Sequence, residues 1–194
     1  MCSLPDKTMK VKRKSWRPAI PLLALAWLTV SGVAAARDSV TLEYQVKAAF
    51  LFNFGKFVNW PAADFSGANA PLVIGVLGDN PFHDDLKNMI AGKSIEGHPV
   101  VFRQFMAPES VRNCNILFVS QSAQKYAPAI LAAIRGAKVL TVTENLPHFA
   151  GSGFAINFVL AQDNIRFEIN SPAVAQSGLA ISSKLMSLAL PPEP

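Results

Sequence analysis

Leu72-Val-Ile-Gly-Val-Leu77, followed at once by Gly78-Asp79-Asn80-Pro81 and then by Phe82, Leu86, Met89 and Ile90, is the stretch that decides the fold. An apolar run this short, bounded by turn formers, reads as a buried strand. The glycine, the two Asx residues and the proline supply a turn, an N-cap and a first helical position, and the spaced apolar residues after them make the stripe of a short helix closed by Gly92.

Downstream the same alternation continues. Pro99–Phe105 and Asn115–Ser120 read as strands, Ala129–Arg135 as a helix with Ile130, Leu131 and Ile134 inward and Gly136 as terminator, and Lys138–Val142 as a further strand. The order strand, helix, strand, strand, helix, strand favours an α/β fold with a mostly parallel sheet flanked by helices. The last third differs. Phe154–Leu160 and Ile165–Ile169 flank Gln162-Asp163-Asn164 and are expected to form a C-terminal antiparallel hairpin, in whose second strand Ile165, Phe167 and Ile169 alternate with Arg166 and Glu168. Ser171-Pro172 opens another helix, Gly178 stops it, Lys184–Ala189 makes a last amphipathic turn, and Pro191, Pro192 and Pro194 predict a frayed tail.

Upstream lies Leu42-Glu-Tyr-Gln-Val-Lys-Ala-Ala-Phe-Leu-Phe-Asn-Phe-Gly-Lys-Phe-Val-Asn-Trp60-Pro61. Val46, Phe50, Phe54 and Phe57 recur at helical spacing, with Leu51 and Val58 on the adjoining row, so a helix ending at Pro61 is expected to bury that face. Phe52 and Trp60 fall partly outside the stripe, which predicts contacts on two sides.

The first 36 residues carry the charge asymmetry. Lys10, Lys12, Arg13, Lys14 and Arg17 precede the apolar run Ala19–Val33 and then Ala34, Ala35 and Ala36, the three regions of a secretory signal peptide with cleavage expected after Ala35 or Ala36. The run falls short of the ~20 residues that the rival reading, an uncleaved inner-membrane anchor, would need. Six of the 18 Lys and Arg and one of the 13 Asp and Glu lie there, leaving 12 of each in residues 37–194. The exported protein is therefore neutral, and its composition gives no support to nucleic-acid binding. Residues 37–194 suffice for one domain. Cys2 leaves with the signal peptide and precedes the apolar run, so it opens no lipoprotein signal. Cys114 then remains as the sole thiol, expected to behave as a small buried hydrophobe; an intermolecular disulfide is the alternative, and an intramolecular one is excluded by count.

Val46–Pro61, Cys114-Asn-Ile-Leu-Phe118, Val139-Leu-Thr-Val142, Arg166-Phe-Glu-Ile-Asn170 and Gly178-Leu-Ala-Ile-Ser-Ser-Lys-Leu185 together, in this order, resemble the YfiR family. The resemblance runs from about Glu43 to Ala189. It implies an exported periplasmic protein without enzymatic chemistry. The best-understood members repress a membrane-bound diguanylate cyclase by binding its periplasmic sensory domain, and an outer-membrane lipoprotein relieves the repression. The implied role lies in cyclic-di-GMP signalling, biofilm formation and surface attachment. Some relatives carry cysteine pairs; with Cys114 alone, tuning by an internal disulfide does not transfer.

The residues themselves point away from catalysis. His83, His98 and His148 stand far apart, without a second ligand at helical spacing, and the adjacent Asp84 and Asp85 suit the positive end of a helix. Ser120 and Ser122 sit at a strand-to-helix junction, but Gln121 and Ala123 stand where a nucleophile elbow needs glycines. Gly75-Val-Leu-Gly78 and Gly151-Ser-Gly153 lack the context of a phosphate cradle. No catalytic residue, metal or cofactor is expected. Two binding readings remain. A small polar ligand could be held beyond the carboxyl ends of the parallel strands by Asp79, Asn80, Ser120, Ser122, Thr143 and Glu144, residues that serve equally as caps and turn formers. A protein partner, or a second copy in a homodimer, could be anchored by Tyr44, Phe52, Phe57 and Trp60, unless the helix is simply sandwiched between sheet and hairpin.

Overall fold

The computed structural model describes residues 31–67 and 69–193, and only the backbone of residues 31–40 and Asp64. The basic stretch, the apolar run up to residue 30 and Cys2 lie outside the described residues. Among the described residues no helix is long and apolar enough to cross a membrane.

The elements in chain order are α1 (Ser31–Phe57), β1 (Val58–Asn59), β2 (Leu72–Leu77), α2 (Asp85–Ile90), β3 (Ser94–Ile95), β4 (His98–Phe105), β5 (Ile116–Val119), α3 (Ala127–Ala133), β6 (Leu140–Glu144), β7 (Ile156–Ala161), β8 (Asn164–Ile169), α4 (Ser171–Ser177), β9 (Ala180–Ile181) and α5 (Ser183–Met186). Seven strands form one sheet in the order β3-β4-β2-β5-β6-β7-β8. Its centre, β4 to β7, is parallel, while β3 and β8 run antiparallel at the two edges. The mostly parallel α/β sheet and the C-terminal hairpin are as expected. From β2 the chain runs outward to β4, then crosses back to β5 and continues through β6 to β7, so the strand order reverses between β2 and β5.

Both faces of the sheet are covered at its centre, which is why β2, β5 and β6 are buried along their whole length without alternation. On one face Ile74, Val76, Phe118 and Val142 pack beneath Leu51 and Phe54 of α1 and Leu86 and Ile90 of α2. On the other, Val73, Leu117 and Val119 pack beneath Val111, Ile130 and Phe149. Helix α1 runs antiparallel to the central strands: Lys47 meets Glu144 at the carboxyl end of β6, and Gly55 lies over the starts of β2 and β5. A Cβ on Gly55 would stand 2.7 Å from Ile95 Cδ1, so its absence lets the helix approach the sheet closely.

Several expectations need correction. Helix α1 ends at Phe57, not at Pro61, because Val58 and Asn59 pair with Ile181 and Ala180 as a separate two-stranded sheet. The buried row of α1 is Lys47, Leu51 and Phe54, beside Ala48, whereas Val46 is 37 % exposed. Helix α2 begins at Asp85 because Asn80 makes a local turn instead, accepting from Phe82 N (3.1 Å) and donating to the carbonyl of His83, whose φ of 47° breaks helical geometry. Strand β3 was too short to see; it folds onto β4 through Glu96 and Gly97. The β7–β8 turn is Gln162-Asp163, both left-handed as a two-residue hairpin requires, with Asn164 already in β8. The proline-rich tail is clasped as far as Glu193. Leu190 N donates to Phe167 O (2.8 Å), Glu193 N to Glu168 Oε1 (2.9 Å), and Ala150 N to Glu193 O (3.1 Å).

Candidate functional site

The reversal between β2 and β5 is where an open α/β sheet offers a ligand crevice. Here the chain turns at Gly78 with φ of 88°, and a Cβ there would sit 2.4 Å from Ser120 Oγ. The Ser120 hydroxyl donates to Leu77 O (2.9 Å), and Asp79 N donates to Ser122 Oγ (3.0 Å), with the two serine hydroxyls 3.0 Å apart. Phe82, fully buried, packs edge-on against Phe118 and Tyr44, with ring centroids 4.8 and 5.5 Å apart. The structure thus brings Asp79, Ser120 and Ser122 together as a lock between two strand ends. Asn80 is engaged by its own turn. Thr143 leaves the group: its hydroxyl donates to Ile156 O and Asn157 Oδ1 (3.2 and 3.1 Å). Only Asn80 makes a local turn; Ser120 bonds across to β2 without capping the helix that follows it.

Glu144 also leaves it, toward α1. The side chains of Lys47 and Glu144 are 1 and 2 % exposed, and Lys47 Nζ lies 2.5 Å from Glu144 Oε2 and 2.5 Å from Glu43 Oε1. Tyr44 donates its hydroxyl to both Glu144 oxygens (3.1 and 3.3 Å), and Gln124 Nε2 donates to the Glu144 main-chain carbonyl (2.6 Å). Burial, and after it the Glu144 carboxylate, raises the Tyr44 hydroxyl above the usual tyrosine range. Two carboxylates and a phenol thus surround one ammonium, with Glu43 on the side open to solvent. The sequence reading missed Lys47 as a buried partner. Its signal was position: a lysine four residues before Leu51 and seven before Phe54 stands on the row that turned inward.

The expected aromatic anchors separate into two groups. Trp60 is 4 % exposed and donates Nε1 to Gly55 O (2.8 Å), satisfying a carbonyl near the end of α1. Phe52 is 8 % exposed, with the Lys56 and Lys93 ammonium groups 4.3 and 4.9 Å from its ring centroid. Tyr44 and Phe57 remain half-buried, the latter with Lys184 at 5.8 Å. The most open apolar side chains of α1 and the hairpin lie elsewhere. Leu42 and Leu160, each 61 % exposed, and Val46 line a groove of about 530 Å³ with Phe50 and Ile165, between α1 and the β7–β8 hairpin. Below it Phe50 and Phe54 pack against Phe158 and Phe167, centroids 5.2 to 5.9 Å apart, and fix the helix to the hairpin.

Cys114 is buried, and its thiol donates to Val111 O (3.0 Å). Burial pushes its pKa up to about 12, partly offset by the Arg103 charge. His98 stacks on Phe65 with centroids 3.6 Å apart while Nδ1 meets Ala70 O (2.7 Å), a packing role at the edge of β4. Among the described residues no three His, Cys, Asp or Glu side chains are grouped as metal ligands.

A family model described as YfiR/HmsC-like matches residues 44–190. No curated protein matches the chain.

Proposed function

The chain belongs to the YfiR/HmsC-like family, and we propose that it binds the periplasmic sensory domain of a membrane diguanylate cyclase and holds that enzyme inactive. Membership supports a regulatory, periplasmic role in cyclic-di-GMP signalling. The observation that carries the reading is the extent of the match, which starts at Tyr44, bonded to Glu144, and ends at Leu190, bonded to Phe167. It therefore takes in both the packed half of α1 and the first bond of the tail's clasp. Ser120, Ser122, Thr143 and Glu144 at the strand ends are engaged internally, which favours action through a surface over action on a small substrate in the crevice.

In this reading residues 1–36 direct export and are removed. The partner surface is the groove of Leu42, Val46 and Leu160, with Tyr44 on another side of the same helix and Phe52, Phe57 and Trp60 toward its far end. An exposed apolar patch of this kind is a usual protein contact. Repression is a population shift: the bound protein favours the inactive state of the cyclase by its differential affinity, and an outer-membrane lipoprotein that captures the protein releases it. A homodimer would use the same groove.

Deleting the gene tests the reading directly. Cellular cyclic-di-GMP should rise, and supplying the wild-type protein in the periplasm should lower it again. An unchanged level on deletion rejects the repressor assignment.

A further inference from the structure

On the sheet face opposite α1, near the amino ends of β2, β5 and β6, lies a second cleft of about 530 Å³. Arg103 of β4, Arg112 and Asn113 of the 3-10 helix Pro108–Asn113, and Lys138 ahead of β6 line it, with Phe65 and Val139 as apolar walls. Among the described residues no Asp or Glu lines it, and Glu109, in the same 3-10 helix as Arg112, is not part of its wall. Two arginines of a chain whose residues 37–194 carry equal numbers of basic and acidic groups thus line one concavity.

The two guanidinium groups are positioned without being neutralised. Arg103 Nη1 donates to Asn113 O (3.4 Å) and Arg112 Nη1 to Arg135 O (3.2 Å), and neither pairs with a carboxylate among the described residues. Each guanidinium has five N–H donors in a fixed fork, so one bond to a main-chain carbonyl orients the group and leaves most of its donors for another acceptor. Arg103 is thus anchored on the main chain at Asn113 and Arg112 on that at Arg135, and both line the one cleft. A guanidinium fork matches the oxygens of a tetrahedral oxyanion, and the cleft's volume is that of an ordinary small-molecule site.

We propose that this cleft binds the phosphate group of a small molecule, held between Arg103 and Arg112. The phosphate can arrive as inorganic phosphate or as a monoester whose organic part rests on Phe65 and Val139. This site is separate from the partner surface, and its failure would leave the reading as a cyclase repressor untouched.

The test is isothermal titration calorimetry of the exported protein at constant ionic strength with inorganic phosphate and with phenyl phosphate, on wild type, Arg103→Gln and Arg112→Gln. The unliganded melting temperature of each variant serves as a check of folding. Millimolar or tighter binding to wild type that weakens at least about tenfold in both folded variants, the scale of losing a charge-assisted contact, supports the site. Tighter binding of phenyl phosphate then assigns a monoester, and equal binding assigns the free ion. Absence of binding by both probes, binding retained in both variants, or the same heat from acetate at matched ionic strength overturns it. Because each glutamine variant keeps the aliphatic packing and removes one charge, a variant that does unfold is replaced by lysine at the same position. Lysine retains the charge and loses the fork, and it should weaken binding to a smaller extent.

Discussion

Lys47 of α1 and Glu144 at the carboxyl end of β6 form an ion pair of 2.5 Å with both side chains nearly excluded from solvent. It joins the first helix to the end of a central strand, at the place where a ligand-binding α/β protein would leave an open rim. Glu43 and Tyr44 complete the shell around it. The pair lies on the face of α1 that turns inward, together with Leu51 and Phe54.

Breaking that pair on one side should be severe. Lys47→Ala strands a buried carboxylate and should lower stability by about 3 to 5 kcal/mol, whereas Lys47→Met combined with Glu144→Leu should recover most of the loss. Urea unfolding of the three proteins checks it. If the double variant is as unstable as Lys47→Ala, charge burial is not the cause.

Cys114 should be silent in the folded protein. Its thiol pKa rises from 9.0 to about 12 on burial, so the folded state favours the protonated form. The associated stability is complete below pH 9 and is lost as pH rises from there toward the folded value, because the unfolded chain then binds fewer protons. Tyr44 acts in the same direction. Cys114→Ala should flatten part of the alkaline fall in urea midpoint, and iodoacetamide should label the wild type only when it is unfolded. Rapid labelling of the native protein would contradict the buried, hydrogen-bonded thiol.

Trp60 and Leu160 should separate folding from binding. Trp60→Ala removes a buried ring and its bond to Gly55 O and should cost about 3 to 5 kcal/mol, so any loss of partner affinity would follow loss of fold. Leu160→Asp changes a side chain 61 % exposed and should leave the melting temperature nearly unchanged. If Leu160 is a partner anchor, the aspartate weakens binding to the cyclase sensory domain by about 2 kcal/mol or more. Unaltered affinity removes this groove from the interface.

Gly78→Ala should be destabilising by about 1 to 3 kcal/mol, since φ of 88° is strained for any L side chain and the new methyl would meet the Ser120 and Ser122 hydroxyls and Ala123. Gly92→Ala has a similar φ of 70° with no atom within 4 Å of the added Cβ, so it isolates the backbone part of the penalty. Equal losses at the two positions would show that the crowding at Gly78 relaxes without penalty.

By itself the sequence determined the parallel centre of the sheet, the hairpin at its edge and the burial of Cys114. Those follow from local patterns: unbroken apolar runs such as Leu72–Leu77, turn residues between Leu160 and Ile165, and a cysteine beside a buried strand. A residue's neighbours across the fold are not local, and there the tertiary structure decided. The stripe of Val46, Phe50, Phe54 and Phe57 is only in part the inward face: Phe54 is fully buried beside Leu51 and Lys47, whose ammonium meets Glu144 at the end of β6, while Val46 stays 37 % exposed. Trp60 could be an anchor or core by composition; Gly55 O at 2.8 Å made it core. The polar strand ends read equally as ligand groups or as locks, and they became locks when Gly78 brought Ser120 and Ser122 against the turn. The proline tail looked unanchored because prolines donate no hydrogen bond, yet Leu190 and Glu193, which do, reach acceptors on Phe167 and Glu168. Periodicity records which residues prefer to be buried, while the partner that satisfies a buried charge or amide comes from a distant part of the chain and exists only once the layers have packed.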